Sequence, residues 1–217
     1  MHFLKKNKVL LFAGPLFVLL FAFQDKAVMV WMKYLDQSHS SSYMMLRKLD
    51  HFINFIGHGT TLLVAACLLF ILGKKFSAGI CYTGKALLIS FFAAGISVQL
   101  LKHLIGRARP RITEGLMIIG PSIKGGYDSF PSGHSAVVFC FAFILAQQFP
   151  RSRITFYCIA AIISLMRVVD LSHFPSDVAA GAVLGIIVGK VLLASTSVYK
   201  YGVAPRASMR SASETHD

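Results

Sequence analysis

The chain has 217 residues, 55% of them hydrophobic and 14% charged, with a mean hydropathy of +0.65. That is too apolar for an ordinary soluble domain and points to a protein that crosses a membrane several times, since about 20 apolar residues make one span. The formal charge of +13 is scattered over the ends of apolar runs, with no long basic run interleaved with aromatics, which sets nucleic acid aside and favours anionic lipid and phosphate.

The first apolar run, residues 9–23, follows Lys5, Lys6 and Lys8. Its end, Phe21-Ala22-Phe23, lacks the small-x-small pattern of a cleavage site, so it reads as an uncleaved first helix. Residues 25–50 mix charges with Trp31, Tyr34 and Tyr43, a composition suited to a membrane interface. Met45, Leu49, Phe52, Ile53 and Ile56 then recur at helical spacing, which predicts an interfacial helix leading into the second span. Further spans are expected at 53–72, 86–101, 135–149, 154–166 and 178–198. The expected architecture is all-α: one six-span bundle over residues 1–199, with a polar, disordered cytoplasmic tail at 200–217. Gly181, Gly185 and Gly189 put small residues on one face of the last span, where a neighbouring helix can approach closely.

With six spans, Lys5, Lys6, Lys8, Lys74, Lys75, Lys85, Arg151, Arg153, Lys200, Arg206 and Arg210 share one side, which the positive-inside rule makes the cytoplasm. Both termini then face the cytoplasm. Cys67, Cys81, Cys140 and Cys158 sit in or beside apolar stretches without metal or disulfide spacing and read as small apolar residues.

Three polar islands fall at span ends, all on the outer face. The first, Lys102 to Pro110, carries Lys102, Arg107 and Arg109. Arginine matches two phosphate oxygens with its planar fork and lysine adds a mobile charge, so the island reads either as a phosphate clamp or as a basic stretch against lipid headgroups. In the second, Pro131-Ser132-Gly133-His134 opens an apolar helix. Free N–H groups at such a start favour an anion, Gly133 lets an oxygen approach and His134 can donate a proton; a plain capping turn is the alternative. The third holds Arg167, His173 and Asp177, with Pro175 suited to a first helical turn. A carboxylate reaching back to one imidazole nitrogen would fix the tautomer and strengthen the other as base or nucleophile, although Asp177 also reads as an ordinary acid at a helix start. Asp170 and Ser172 read as loop residues without a role. His103, His134, His173 and Asp177 offer metal-ligand types, but the cations beside them would repel a divalent ion.

Taken together, Lys-x6-Arg-Pro at 102–110, Pro-Ser-Gly-His at 131–134 and Arg-x5-His-x3-Asp at 167–177 resemble the three-part signature of the type 2 phosphatidic acid phosphatase superfamily. The resemblance is close over residues 102–189, and the N-terminal third is similar in topology alone. It implies a bacterial inner-membrane lipid phosphatase without cofactor or metal, working through a phosphohistidine at the periplasmic or exterior face. Lys102, Arg109, Ser132, Gly133 and Arg167 would hold the phosphoryl oxygens, with Arg107 auxiliary. His173 would attack phosphorus, oriented by Asp177, and His134 would protonate the leaving oxygen. Where the family usually has Ser before the arginine of the third motif this chain has Met166, so a hydroxyl contact is expected to be missing unless Ser132 supplies it. Undecaprenyl diphosphate, phosphatidylglycerol phosphate, lipid A and phosphatidic acid all present the required phosphate. A lipid-to-lipid phosphotransferase of the same fold is the nearest alternative, and a non-catalytic lipid binder or transporter the alternative of another class.

Overall fold

The computed structural model describes residues 8–39, 41–113 and 115–195. The expected tail from residue 200 lies outside them, as does Glu114. Among the described residues every regular element is helical: α1 (Lys8–Ala22), α2 (Asp25–Gln37), α3 (Ser41–Gly57), α4 (Gly59–Phe76), α5 (Ala78–Ile105), α6 (Gly133–Gln148), a 3-10 turn (Pro150–Ser152), α7 (Arg153–Val169) and α8 (Pro175–Ser195).

Four helical segments are long and apolar enough to cross a membrane: Gly59–Phe76, Ala78–Ile105, Pro150–Val169 and Pro175–Ser195. A fifth span is obtained if Ala13–Ala22 and Asp25–Gln37, bent by 47° at a short break, count as one. Among the described residues the membrane protein is thus all-helical, with four to five such candidate spans. The central helix α6 is apolar but has only 16 residues, about 24 Å at 1.5 Å per residue, against a hydrocarbon core of about 30 Å.

Helix α6 is largely buried, from Ala136 and Val137 through Cys140 and Phe141 to Ile144, and packs against α5, α7 and α8. Its contact with α8 depends on missing side chains. A Cβ at Gly181 would overlap the Ser132 carbonyl and the Ser135 side chain, and one at Gly185 would overlap the Ala136 carbonyl and the Cys140 nitrogen. The glycine stripe therefore brings the backbones of α6 and α8 together, which seats the starts of both helices side by side. The Ser132 N–H donates to the Asp177 carbonyl at 3.0 Å across that seam.

Two boundaries differ from those the sequence predicts. Helix α5 runs over 28 residues rather than 86–101. At its C-terminal end Lys102 and His103 occupy the last turn, where cations meet the negative pole of the helix. That end is closed by Gly106 in the left-handed conformation, φ 61°, whose N–H bonds the Lys102 carbonyl. His58, expected inside a span, is instead the N-cap of α4: its side chain accepts the Thr60 N–H. The predicted helical spacing after Met45 is realised in α3, which breaks from α4 at that cap.

Candidate active site

Three helix ends meet at one face. The last turn of α5 carries Lys102. The chain then turns at Gly106 and crosses a loop held by an isolated bridge between Arg107 and Ile118, with the Arg109 N–H donating to the Gly126 carbonyl. Ser132 caps α6, accepting from the Ser135 N–H and hydroxyl at 3.5 and 3.0 Å, so Gly133 and His134 open the first turn. Arg167 lies in the last turn of α7. Its carbonyl accepts the N–H groups of Ser172 and His173, both at 3.1 Å, which folds the connection to α8 back so that His173 is buried beside Asp177.

These ends enclose a cavity of about 330 Å³. Its polar lining is Lys102, Arg109, Gly133, His134, Arg167, Ser172 and His173; Gly57, Gly59, Phe91, Gly95, Val98 and Val137, with Gln99, complete it. Of the residues singled out by sequence, the structure therefore brings six to one cavity: Lys102, Arg109, Gly133, His134, Arg167 and His173. Asp177, fully buried, stands behind His173, with Oδ2 3.7 Å from the histidine Nδ1. That separation is an ion-pair contact just beyond hydrogen-bond length. The carboxylate is held by three donors: Arg107 Nη1 to Oδ1 at 2.5 Å, and the Ser129 hydroxyl and Phe174 N–H to Oδ2 at 2.5 and 2.8 Å. Burial keeps the His173 imidazole below its ordinary value of 6.5, opposed by Asp177 and reinforced by Lys102 and Arg109.

Several expectations change. Arg107, expected as an auxiliary phosphate contact, does not line the cavity. Its guanidinium is buried, donating through Nη1 to Ser176 and Asp177 and through Nη2 to Asp25, and stacks 4.2 Å from the centre of the Phe174 ring. Ser132, expected to offer its hydroxyl to phosphate, is wholly buried as a cap, and Met166 does not line the cavity either. The serine in the cavity wall is Ser172. Asp170 is not idle: its Oδ2 accepts from Arg167 Nη2 at 2.8 Å and from the Ser172 hydroxyl at 2.5 Å.

Sequence reasoning missed the acids that balance the clamp. Asp128 accepts Arg109 Nε and Nη2 at 2.9 and 2.7 Å in a bidentate pair, with Lys102 Nζ 3.7 Å away. The Arg109 hydrogen bond holds the Asp128 carboxyl well below its ordinary value. Asp50 lies 3.7 Å from Arg167. Asp128, six residues before His134, could have been noticed as the acid nearest the second motif; Asp25 is 82 residues from Arg107, with no spacing signal to betray it. Among the described residues no three His, Cys, Asp or Glu side chains are grouped to hold one metal ion.

The family model described as the PAP2 superfamily matches residues 83–200, more than half of the chain and all three polar islands. The chain belongs to the PAP2 superfamily. It is similar to a lipid A 1-phosphatase of Rhizobium johnstonii, 38% identical over 48% of this chain and 44% of the relative. It is also similar to a lipid A 1-phosphatase of Rhizobium etli, 34% identical over 64% of this chain and 67% of the relative. Against the first of these the chain spans less than half of the relative's length. In fold it resembles the transmembrane PAP2-type phosphatidylglycerolphosphate phosphatase of Bacillus subtilis, with a TM-score of 0.60 at 22% identity over 84% of this chain and 93% of that one. The family resemblance read from the three motifs is thereby established.

Proposed function

We propose that this chain is an integral-membrane lipid phosphatase that transfers the phosphoryl group of a lipid phosphate to His173 and then to water. The observation that carries the reading is that two histidines from different helix ends, His134 and His173, line one cavity together with three cations. A phosphoryl group asks for little covalent help beyond a nucleophile and a proton donor, and much compensation of charge on its oxygens.

Lys102, Arg109 and Arg167, with the Gly133 N–H at the positive end of α6, would hold the oxygens. The His173 Nε2–P bond forms as the bond from phosphorus to the lipid oxygen breaks, and His134 gives its proton to that departing oxygen. Asp177, facing Nδ1, favours the positive charge that grows on the imidazole. Water then attacks the phosphohistidine, losing a proton to His134; phosphate leaves and His173 returns to its starting state. Ser132 acts here through the cap that fixes Gly133 rather than through its own contact.

The reading includes six crossings, with the short α6 and the bent α1–α2 pair each counted as one and α3 lying along the interface, in a single domain over 1–199. In an inner membrane, and with the orientation that the distribution of lysine and arginine favours, the site would face outward and both termini the cytoplasm. Lipid A heads the substrate candidates because two relatives bear the name lipid A 1-phosphatase. The test is phosphate release by the detergent-purified protein from lipid A, phosphatidylglycerol phosphate, undecaprenyl diphosphate and phosphatidic acid, each without an added acceptor. Release from at least one, lost in His173→Ala, is expected. No release until a second lipid is supplied would instead identify a phosphotransferase.

A further inference from the structure

A buried chain of charges joins the N-terminal third to the nucleophile. We propose that Asp25, at the start of α2, is a positioning residue for His173, acting through Arg107, Ser176 and Asp177; the inference rests on the phosphohistidine reading above. Asp25 is 5% exposed, Arg107 4% and Asp177 not at all, so water does little to screen them.

Asp25 makes two kinds of contact. One is to the start of α8: its Oδ1 accepts the Ser176 N–H at 2.9 Å, and its Oδ2 accepts the Ser176 hydroxyl. The first N–H groups of a helix have no partner within it, so a carboxylate there fixes the helix end. The residue after Ser176 is Asp177, and fixing that turn fixes the carboxylate facing His173. The other contact is to Arg107, whose Nη2 lies 2.7 Å from Asp25 Oδ2 while its Nη1 donates to Asp177 and Ser176. One guanidinium is thus shared by two carboxylates.

The sharing has an electrostatic consequence. Two acids and one arginine leave one surplus negative charge behind His173, while the groups facing the imidazole from the other elements are Lys102, Arg109 and His134. Attack on phosphorus makes the imidazole positive, and the surplus charge favours that change. With Asp25 neutral, Arg107 gives its whole charge to Asp177 and the surplus disappears. The phosphate-holding cations Lys102, Arg109 and Arg167 have other acids as partners, Asp128, Asp170 and Asp50, so ground-state binding of phosphate does not depend on Asp25.

The experiment compares wild type, Asp25→Asn, Ser176→Ala and His173→Ala in detergent, on whichever lipid phosphate of the four-lipid panel gives the most release, with kcat referred to folded enzyme. Asp25→Asn is expected to lower kcat about 10- to 100-fold, the scale seen when a partner that orients a metal-binding histidine is lost, with KM within about threefold. Ser176→Ala, which keeps both charges and removes the bridging hydroxyl, should move kcat the same way by less. If Asp25→Asn keeps wild-type kcat, or raises KM alone, while His173→Ala is inactive, the inference is overturned and the phosphatase reading stands. If Asp25→Asn does not fold, Ser176→Ala decides by the same split: a fall in kcat at constant KM supports the inference and an unchanged kcat overturns it. Wild type that releases no phosphate from any of the four lipids overturns the phosphatase reading itself.

Discussion

Replacing Gly185 by alanine sets two effects of known size against each other. In an unencumbered helix the change gains about 1 kcal/mol, because alanine gives up less backbone entropy. In α8 the new Cβ would overlap the Ala136 carbonyl and lie 2.9 Å from the Cys140 nitrogen, both backbone atoms of α6 with no rotamer to yield. Overpacking of this kind costs about 1 to 3 kcal/mol, and the backbone character of the obstacle puts the cost at the upper end. The net loss should be about 1 to 2 kcal/mol, which for a chain of this size is roughly 2 to 8 °C in Tm. Activity should fall with it, because parting α6 from α8 stretches the Ser132 N–H to Asp177 carbonyl bond that holds the two site helices in register. Thermal melts in detergent measure the first effect and phosphate release the second. Gly95→Ala is the control for the melts alone, since a Cβ there meets nothing within 4 Å but enters the site cavity. A Gly185→Ala protein that melts at or above wild type would refute the close-approach argument.

Other outcomes follow from the site. His134→Ala should slow release from a lipid phosphate by about 100-fold or more, but much less from an ester whose leaving group needs no proton; equal losses on both would remove His134 from the role of acid. Burial holds the His173 imidazole below its ordinary value of 6.5, so it is neutral and nucleophilic at pH 7 and the acid limb of kcat/KM should lie below that value, while loss of the His134 proton sets the alkaline limb. The same depression means the unfolded chain binds this proton first: stability should decline as pH falls from 6.5 toward the folded value and level off beneath it, and a melt series should show His173→Phe with a flatter slope. Arg167→Lys keeps the charge but loses the fork shared with Asp170, and should raise KM about 10-fold; an unchanged KM would count against Arg167 as a phosphate ligand. A single cysteine placed at Lys124 should react with an impermeant thiol reagent from outside, and one at Arg151 should not; the reverse pattern would invert the proposed topology.

What could be read in the sequence was whatever depends on contiguous spacing. Lys102, His134, Arg167 and His173 belong to short runs at helix ends, so locating the helices was enough to place them on one face. The glycine stripe of α8 was legible for the same reason, since four-residue spacing is itself a helical property. Pairing was not legible. Nothing in the order of residues says that Asp128 takes Arg109, or that Arg107, two residues earlier in a basic run, turns inward to Asp25 and Asp177. The motif ranks Arg109 above Arg107, but it is the Gly106 turn and the bridge to Ile118 that send their side chains to different places. The span boundaries differ for a simpler reason: Lys102 ends the apolar stretch, but a helix can continue past its apolar part and gains from cations in its last turn.

The cavity runs down α5 from Lys102 past Val98 and Gly95 to Phe91. Eleven residues of helix rise about 16 Å, so the cationic end and the apolar end of the same cavity lie at different levels of the bundle. A phosphate carried on an apolar stem would fill both ends at once, whereas a small water-soluble ester would leave the apolar end empty. The length of the cavity would thus discriminate between the two kinds of phosphate before any side chain has recognised a headgroup.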